Sequence, residues 1–101
     1  MKIPKFVNIA GHKIGITIKQ VLYDSEENQC AGLAFPAEGR IEVAKTCNGS
    51  KMSDDEKNEA FLHEIIHHIS LKYSINLKES QVLSLGVGMY QVLKDNKLSF
   101  F

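Results

Sequence analysis

The sequence carries no net charge, no long apolar run and only two cysteines. Each absence removes a class of protein. Twelve Lys and Arg balance twelve Asp and Glu over 101 residues, so no net field draws the chain onto nucleic acid or an anionic membrane, and neither is expected as a partner. No segment has the apolar length of a signal peptide or a bilayer span, which points to a cytoplasmic protein. Cys30 and Cys47 are too few for a disulfide framework and lack metal-ligand spacing. Reduced thiols are expected, although a two-residue turn at Glu38-Gly39 would set them face to face across a hairpin. Repeats, linkers and low-complexity stretches are missing too. Residues 1–101 therefore read as a single domain with one modest core.

What is present divides into two halves. Residues 13–23 are rich in β-branched side chains with partial alternation and read as a strand. A short segment, Phe6-Val7-Asn8-Ile9, precedes it, separated by a turn at Gly11. Residues 30–35 and 40–45 are two further strands, joined into a hairpin by Pro36-Ala37-Glu38-Gly39. The second half is helical. Ser53-Asp54-Asp55-Glu56 is a capping box with acids in the first turn. Residues 58–72 then lack Gly and Pro, and Phe61, Leu62, Ile65, Ile66 and Ile69 recur at helical spacing. Asn76-Leu77-Lys78-Glu79 reads as a second capping box, opening a helix to about Lys94. Gly86 and Gly88 within it suggest close approach of another element. The order predicts an α+β fold: a small antiparallel sheet of three or four strands, followed by two packed helices on one side of it.

The first helix carries His63-Glu64-Ile65-Ile66-His67. Residues four apart on a helix differ by roughly 40° in rotation and about 6 Å in height, so both imidazoles converge on one point. Glu64 sits about 60° round from His67, beside that point rather than under it. This is the arrangement for a Zn²⁺ held by His63 and His67, with Glu64 taking a proton from a zinc-bound water and passing it to the leaving amine of a cleaved peptide. Shuffling this composition produces H-E-x-x-H in about one sequence in a hundred. The weight therefore falls on context, a mid-helix motif among apolar neighbours. The bland alternative is an amphipathic helix with two histidines, which would be costly to bury unpaired.

A catalytic zinc needs a third protein ligand and an open position. Glu79, twelve residues after His67, is the candidate. Two antiparallel helices could aim it at the metal, and the third position of a capping box is the competing, structural role for it. Glu59, one turn before His63, is a weaker ligand candidate and otherwise supports the site from behind or belongs to a solvated face. His68 points about 100° away from His67 and reads as a surface or supporting residue. Tyr90 shares a face with Glu79 but lies about 16 Å along the axis, too far for the same metal, and reads as core.

These residues resemble the gluzincins, zinc peptidases whose third ligand is a glutamate on the helix after the H-E-x-x-H helix. Length and a β-rich first half make the chain similar to the minigluzincins, a zincin-like minimal catalytic core. The stretch Leu77-Lys78-Glu79 through Met89-Tyr90-Gln91-Val92-Leu93 looks like that of small metallopeptidases of phages and mobile elements. The metzincin extension is absent, since Ser70 and Tyr73 stand where its Gly and His would fall. The resemblance implies metal ligands His63, His67 and Glu79, Glu64 as catalytic base, and a peptide or protein substrate bound as an added strand along the sheet edge, at residues 40–45 or the neighbouring strand. It departs at Leu83, where larger gluzincins often carry an acid, and in offering no evident Tyr or His to steady the oxyanion. That departure keeps a second reading open, a catalytically weak zinc-containing module that binds a regulatory protein. A plain structural domain without metal is the third. Finally, residues 97–101 end on two phenylalanines. They are expected either to pack under the helices or, as the resemblance allows, to lie across the cleft as a self-inhibitory tail.

Overall fold

The computed structural model describes residues 2–99. It is the α+β arrangement expected, a four-stranded sheet followed by two helices. Strands β1 (Phe6–Ile9) and β2 (His12–Lys19) form a hairpin through Ala10-Gly11, both at positive φ, with Ile9 paired to His12. Such a two-residue turn matches the right-handed twist of the strands it joins. After a loop pinned at Asp24, whose carboxylate accepts the backbone N–H groups of Glu26 and Asn28, come β3 (Gly32–Phe35) and β4 (Arg40–Ala44).

The sheet order is β1-β2-β4-β3. It is not wholly antiparallel, as the sequence suggested: β4 enters between β2 and β3 and runs parallel to β2, pairing Gly15 with Arg40 and Lys19 with Ala44. The long connection between β2 and β3 makes this possible, because it carries the chain past the slot that β4 then fills. One consequence governs the site. β3, paired only to β4 among the described residues, is an outer strand, with β1 at the opposite edge.

The β3–β4 connection holds four residues rather than two, a 3₁₀ turn at Pro36–Glu38 closed by left-handed Gly39. Phe35 therefore opposes Arg40, and the register that would have faced Cys30 with Cys47 does not form. Both thiols are free. Cys47 lies instead in a two-stranded ribbon, β5 (Thr46–Cys47) and β6 (Ser50–Lys51), joined by Asn48-Gly49 at positive φ.

Helix α1 (Asp54–Lys72) begins as its sequence dictates. Ser53 Oγ accepts the Glu56 N–H at 3.1 Å, and the Glu56 carboxylate accepts the Ser53 N–H at 3.1 Å. α1 is buried on two faces. Phe61 and Ile65 pack with Ile9, Ile14, Ile41 and Val43 of the sheet. Leu62 and Ile66 pack with Val82 and Tyr90 of α2 (Glu79–Asp95). This double burial corrects the reading of His68. It is fully buried, with Nε2 3.2 Å from the Arg40 carbonyl of β4, and burial holds its pKa below the usual histidine value. No described helix is long and apolar enough to cross a membrane.

Tyr90 is core, as expected, and its hydroxyl ties the far ends of the two helices together. It donates to Asp55 Oδ1 at 2.6 Å, while Lys94 Nζ donates to Asp55 Oδ2 at 2.5 Å. These two bonds, Lys94 first, hold the Asp55 carboxyl below its ordinary value. A carboxylate whose pKa is depressed by folding stabilises the fold above its unfolded pKa and loses that contribution as pH falls through the folded one. The wild-type melting temperature is therefore expected to exceed that of Asp55→Asn at neutral pH, with the gap closing as pH falls below about 4. Thermal melts from pH 7 to pH 2 measure this, and a gap that stayed constant would be inconsistent with the clasp.

Candidate metal centre

The middle of α1 faces a cleft between the edge strand β3 and the start of α2. His63 and His67, one turn apart, point into it with ring centroids 4.9 Å apart and Nε2 atoms 3.2 Å apart. The Glu79 carboxylate spans them. One oxygen lies 2.8 Å from His63 Nε2 and the other 2.8 Å from His67 Nε2. These three side chains are the group among the described residues that could hold a metal ion.

Glu79 reaches this position because α2 starts two residues later than its sequence suggests. The cap is Lys78, whose N–H donates to Gln81 Oε1 at 2.8 Å, and Glu79 is the first helical residue. A side chain at that position is not the one that reaches back to the cap, so the capping role for Glu79 does not form and its carboxylate turns to the histidines. The connection is held from α1. Ser70 Oγ accepts the Leu77 N–H at 2.8 Å, and the Ser70 carbonyl accepts the Ile75 N–H at 2.9 Å. Ser74 and Asn76 both take positive φ in this turn. Ser70 had no functional signal in the sequence beyond not being glycine.

The helices also meet closely here. A Cβ on Gly86 would sit 3.6 Å from His63 Cα, so this glycine lets α2 lie against the His63 turn of α1. Gly88 has open space around it, and no element approaches it.

Glu64 lies on the sheet side of the pair and is buried, with 7% of its surface exposed. Burial, with the negative charge of Glu79 adding to it, pushes its carboxyl up to about 8 in the metal-free protein. A divalent cation beside it would act in the opposite direction, favouring the carboxylate. Gly32 of β3 makes room for it: a Cβ at that position would stand 3.1 Å from both Glu64 Cγ and Oε2. This role has no local signature, because nothing in the sequence links residue 32 to a helix residue about a third of the chain away.

Two hollows flank the histidines. One, of about 640 Å³, is walled by Leu33, Ala34 and Pro36 on the β3 side and by Leu71 and Leu77 on the helix side. The other is lined by Met52, Glu56, Glu59, Leu83 and Val87. Glu59 thus lines the cleft without joining the His63–His67–Glu79 group. Cys30 lines both hollows, its thiol pushed up by burial and by Asp24. No tyrosine and no further histidine lines either hollow among the described residues. Phe100 and Phe101, on which the expectation of a self-inhibitory tail rests, lie outside the described residues. Leu98, before them, is exposed at the opposite end of α2 from Glu79.

Compared with known proteins, the chain matches no family model, no curated protein and no solved structure.

Proposed function

We propose that the chain is a zinc-dependent metallopeptidase of minigluzincin type, with His63, His67 and Glu79 as metal ligands and Glu64 as the catalytic base. The observation that carries this reading is the Glu79 carboxylate lying 2.8 Å from both histidine Nε2 atoms, with a buried carboxyl group next to them. The donor set of two imidazole nitrogens and one carboxylate suits zinc and leaves a position open. Tetrahedral zinc holds its donors about 3.3 Å apart, close to the 3.2 Å and 2.8 Å separations found among these atoms. Zinc, when bound, supplies Lewis acidity to a substrate carbonyl and to water.

The chain's own groups supply the rest. His63 and His67 come from one rigid helix and Glu79 from a second helix packed on it, so the donor set is organised in advance. Glu64 accepts a proton from the attacking water and returns it to the leaving amine. The outer side of β3 offers unpaired backbone groups along the cleft, to which an extended peptide can add as a strand.

A second reading, a zinc-containing interaction or regulatory module with weak catalysis, is favoured by one observation: among the described residues, no tyrosine or further histidine lines the cleft to stabilise an oxyanion. The deciding experiment incubates the zinc-loaded chain with a peptide library and reads cleavage by mass spectrometry. Cleavage at defined bonds that stops with a chelator and returns with zinc supports the peptidase. Stoichiometric zinc with no cleavage supports the module.

A further inference from the structure

Helix α2 has no charged side chain from residue 80 to residue 93. Only part of that stretch is covered, since Val82, Gly86 and Tyr90 are buried while Leu85, Met89 and Val92 remain 45%, 42% and 57% exposed. A helix packed by one face alone ordinarily carries charge on the other. The uncovered residues have an order. Lys78, Gln81, Leu85, Gly88, Val92 and Asp95 follow one another at alternating intervals of three and four, the heptad spacing of a helix that packs against another helix. This stripe lies about 130° round the helix from the face packed on α1. A shallow apolar hollow lies on it, walled by Leu85, Gly88, Met89 and Val92. Residues at this spacing form the hole that receives a knob from a facing helix.

We propose that the chain forms a two-fold symmetric dimer in which the α2 helices of two copies pack antiparallel along this stripe. The stripe is self-complementary in that direction. Setting Lys78 opposite Asp95 of the second copy also sets Leu85 opposite Gly88, Met89 opposite Ser84 and Val92 opposite Gln81, and the two-fold axis repeats each pairing in reverse. Large side chains thereby meet small or flexible ones along the seam. A Cβ built on Gly88 meets nothing within 4 Å, so the space that Leu85 of the second copy would enter is open. Both ends of the seam carry opposite charges. In a parallel pairing Lys78 would meet Lys78 and Asp95 would meet Asp95, which like-charge repulsion disfavours. The isologous geometry closes on itself, so association stops at two copies. The α2 residues on the cleft, Glu79, Leu83, Gly86 and Val87, are not on the stripe, and the dimer leaves the site open.

A single helix pair falls below the roughly 1,200 Å² of a standard interface, so dissociation in the micromolar range is expected. Sedimentation velocity of the full chain from about 1 to 300 µM spans that range. Runs in zinc and in a chelator keep metal-bridged association from imitating the dimer. The expected result is a concentration-dependent passage from one to two copies in both. Leu85→Lys should weaken it at least about 100-fold by burying a charge without a partner. Lys78→Glu and Asp95→Lys should each weaken it up to about tenfold at low salt, and the two together should restore it. Circular dichroism confirms that each variant is folded, as expected of substitutions at exposed positions. A chain that stays monomeric at the top concentration, or a dimer unmoved by Leu85→Lys, overturns the proposal. A dimer lost on Leu85→Lys but neither weakened by the single reversals nor rescued by the pair overturns the antiparallel arrangement.

Discussion

Replacing Glu64 with Gln is expected to slow peptide cleavage by about 10²- to 10⁴-fold, the usual contribution of a positioned acid–base group, while leaving one zinc per chain. The amide has the shape of the carboxyl and fits the space left by Gly32, but it cannot accept the proton of an attacking water. Glu64 is also not one of the three side chains that could together hold a metal ion, so metal content should not follow activity. Cleavage rates for matched zinc-loaded samples, with metal measured by mass spectrometry on the same preparations, separate the two effects. Unchanged cleavage in Glu64→Gln would remove it from the chemistry. Lost zinc would mean that it belongs to the ligand set.

Replacing Glu79 with Ala should weaken zinc binding by more than about 100-fold, since loss of a direct ligand costs more than loss of a group that orients one. The metal-free fold should hardly notice. As the first residue of α2 rather than its capping partner, Glu79 contributes the interaction of an acid with a helix N-terminus, about 0.3–1 kcal/mol, and the small contribution of solvent-exposed contacts with His63 and His67. Competition with a chromophoric chelator measures the first quantity and chemical denaturation in a chelator the second. Normal zinc affinity with a large loss of metal-free stability is the opposite pattern, and it would return Glu79 to a structural role. His63→Ala and His67→Ala should resemble Glu79→Ala in the first measurement.

The parts legible in the sequence were those with local causes. Ser53 and Glu56 announce the start of α1 because a capping box is complete within four residues. The Pro36 to Gly39 turn announces the β3–β4 hairpin, and the spacing of His63 and His67 announces a converging pair. What stayed hidden depends on partners distant in sequence. The insertion of β4 between β2 and β3 leaves no mark on any one strand, yet it makes β3 the edge above the cleft. Gly32 looks like any strand glycine until Glu64 is seen against it. Spacing alone leaves a surface place open to His68, because it does not show that α1 is covered on two faces. The start of α2 was displaced for a subtler reason. Asn76-x-x-Glu79 and Lys78-x-x-Gln81 compete as caps, and local pattern favours the first. The turn held by Ser70 puts Asn76 at φ 60°, outside the extended conformation of a cap residue, and the second prevails. Asn48-Gly49, a strong hairpin dipeptide, is a further local cause, of the β5–β6 turn.

The shortness of β3 limits what the proposed enzyme could cut. Its free edge is four residues long and ends at Pro36, which has no N–H to offer a further partner. Such an edge is a poor template for runaway strand addition between copies, one of the ways natural sheets avoid aggregation. It also holds an incoming chain by only a few backbone bonds, and only if that chain is already extended. Selection would then act on conformation before it acts on side chains. Loose termini, unfolded proteins and peptides released by other proteases would be admitted, while a compact folded domain, with its backbone bonds already satisfied, would pass by uncut.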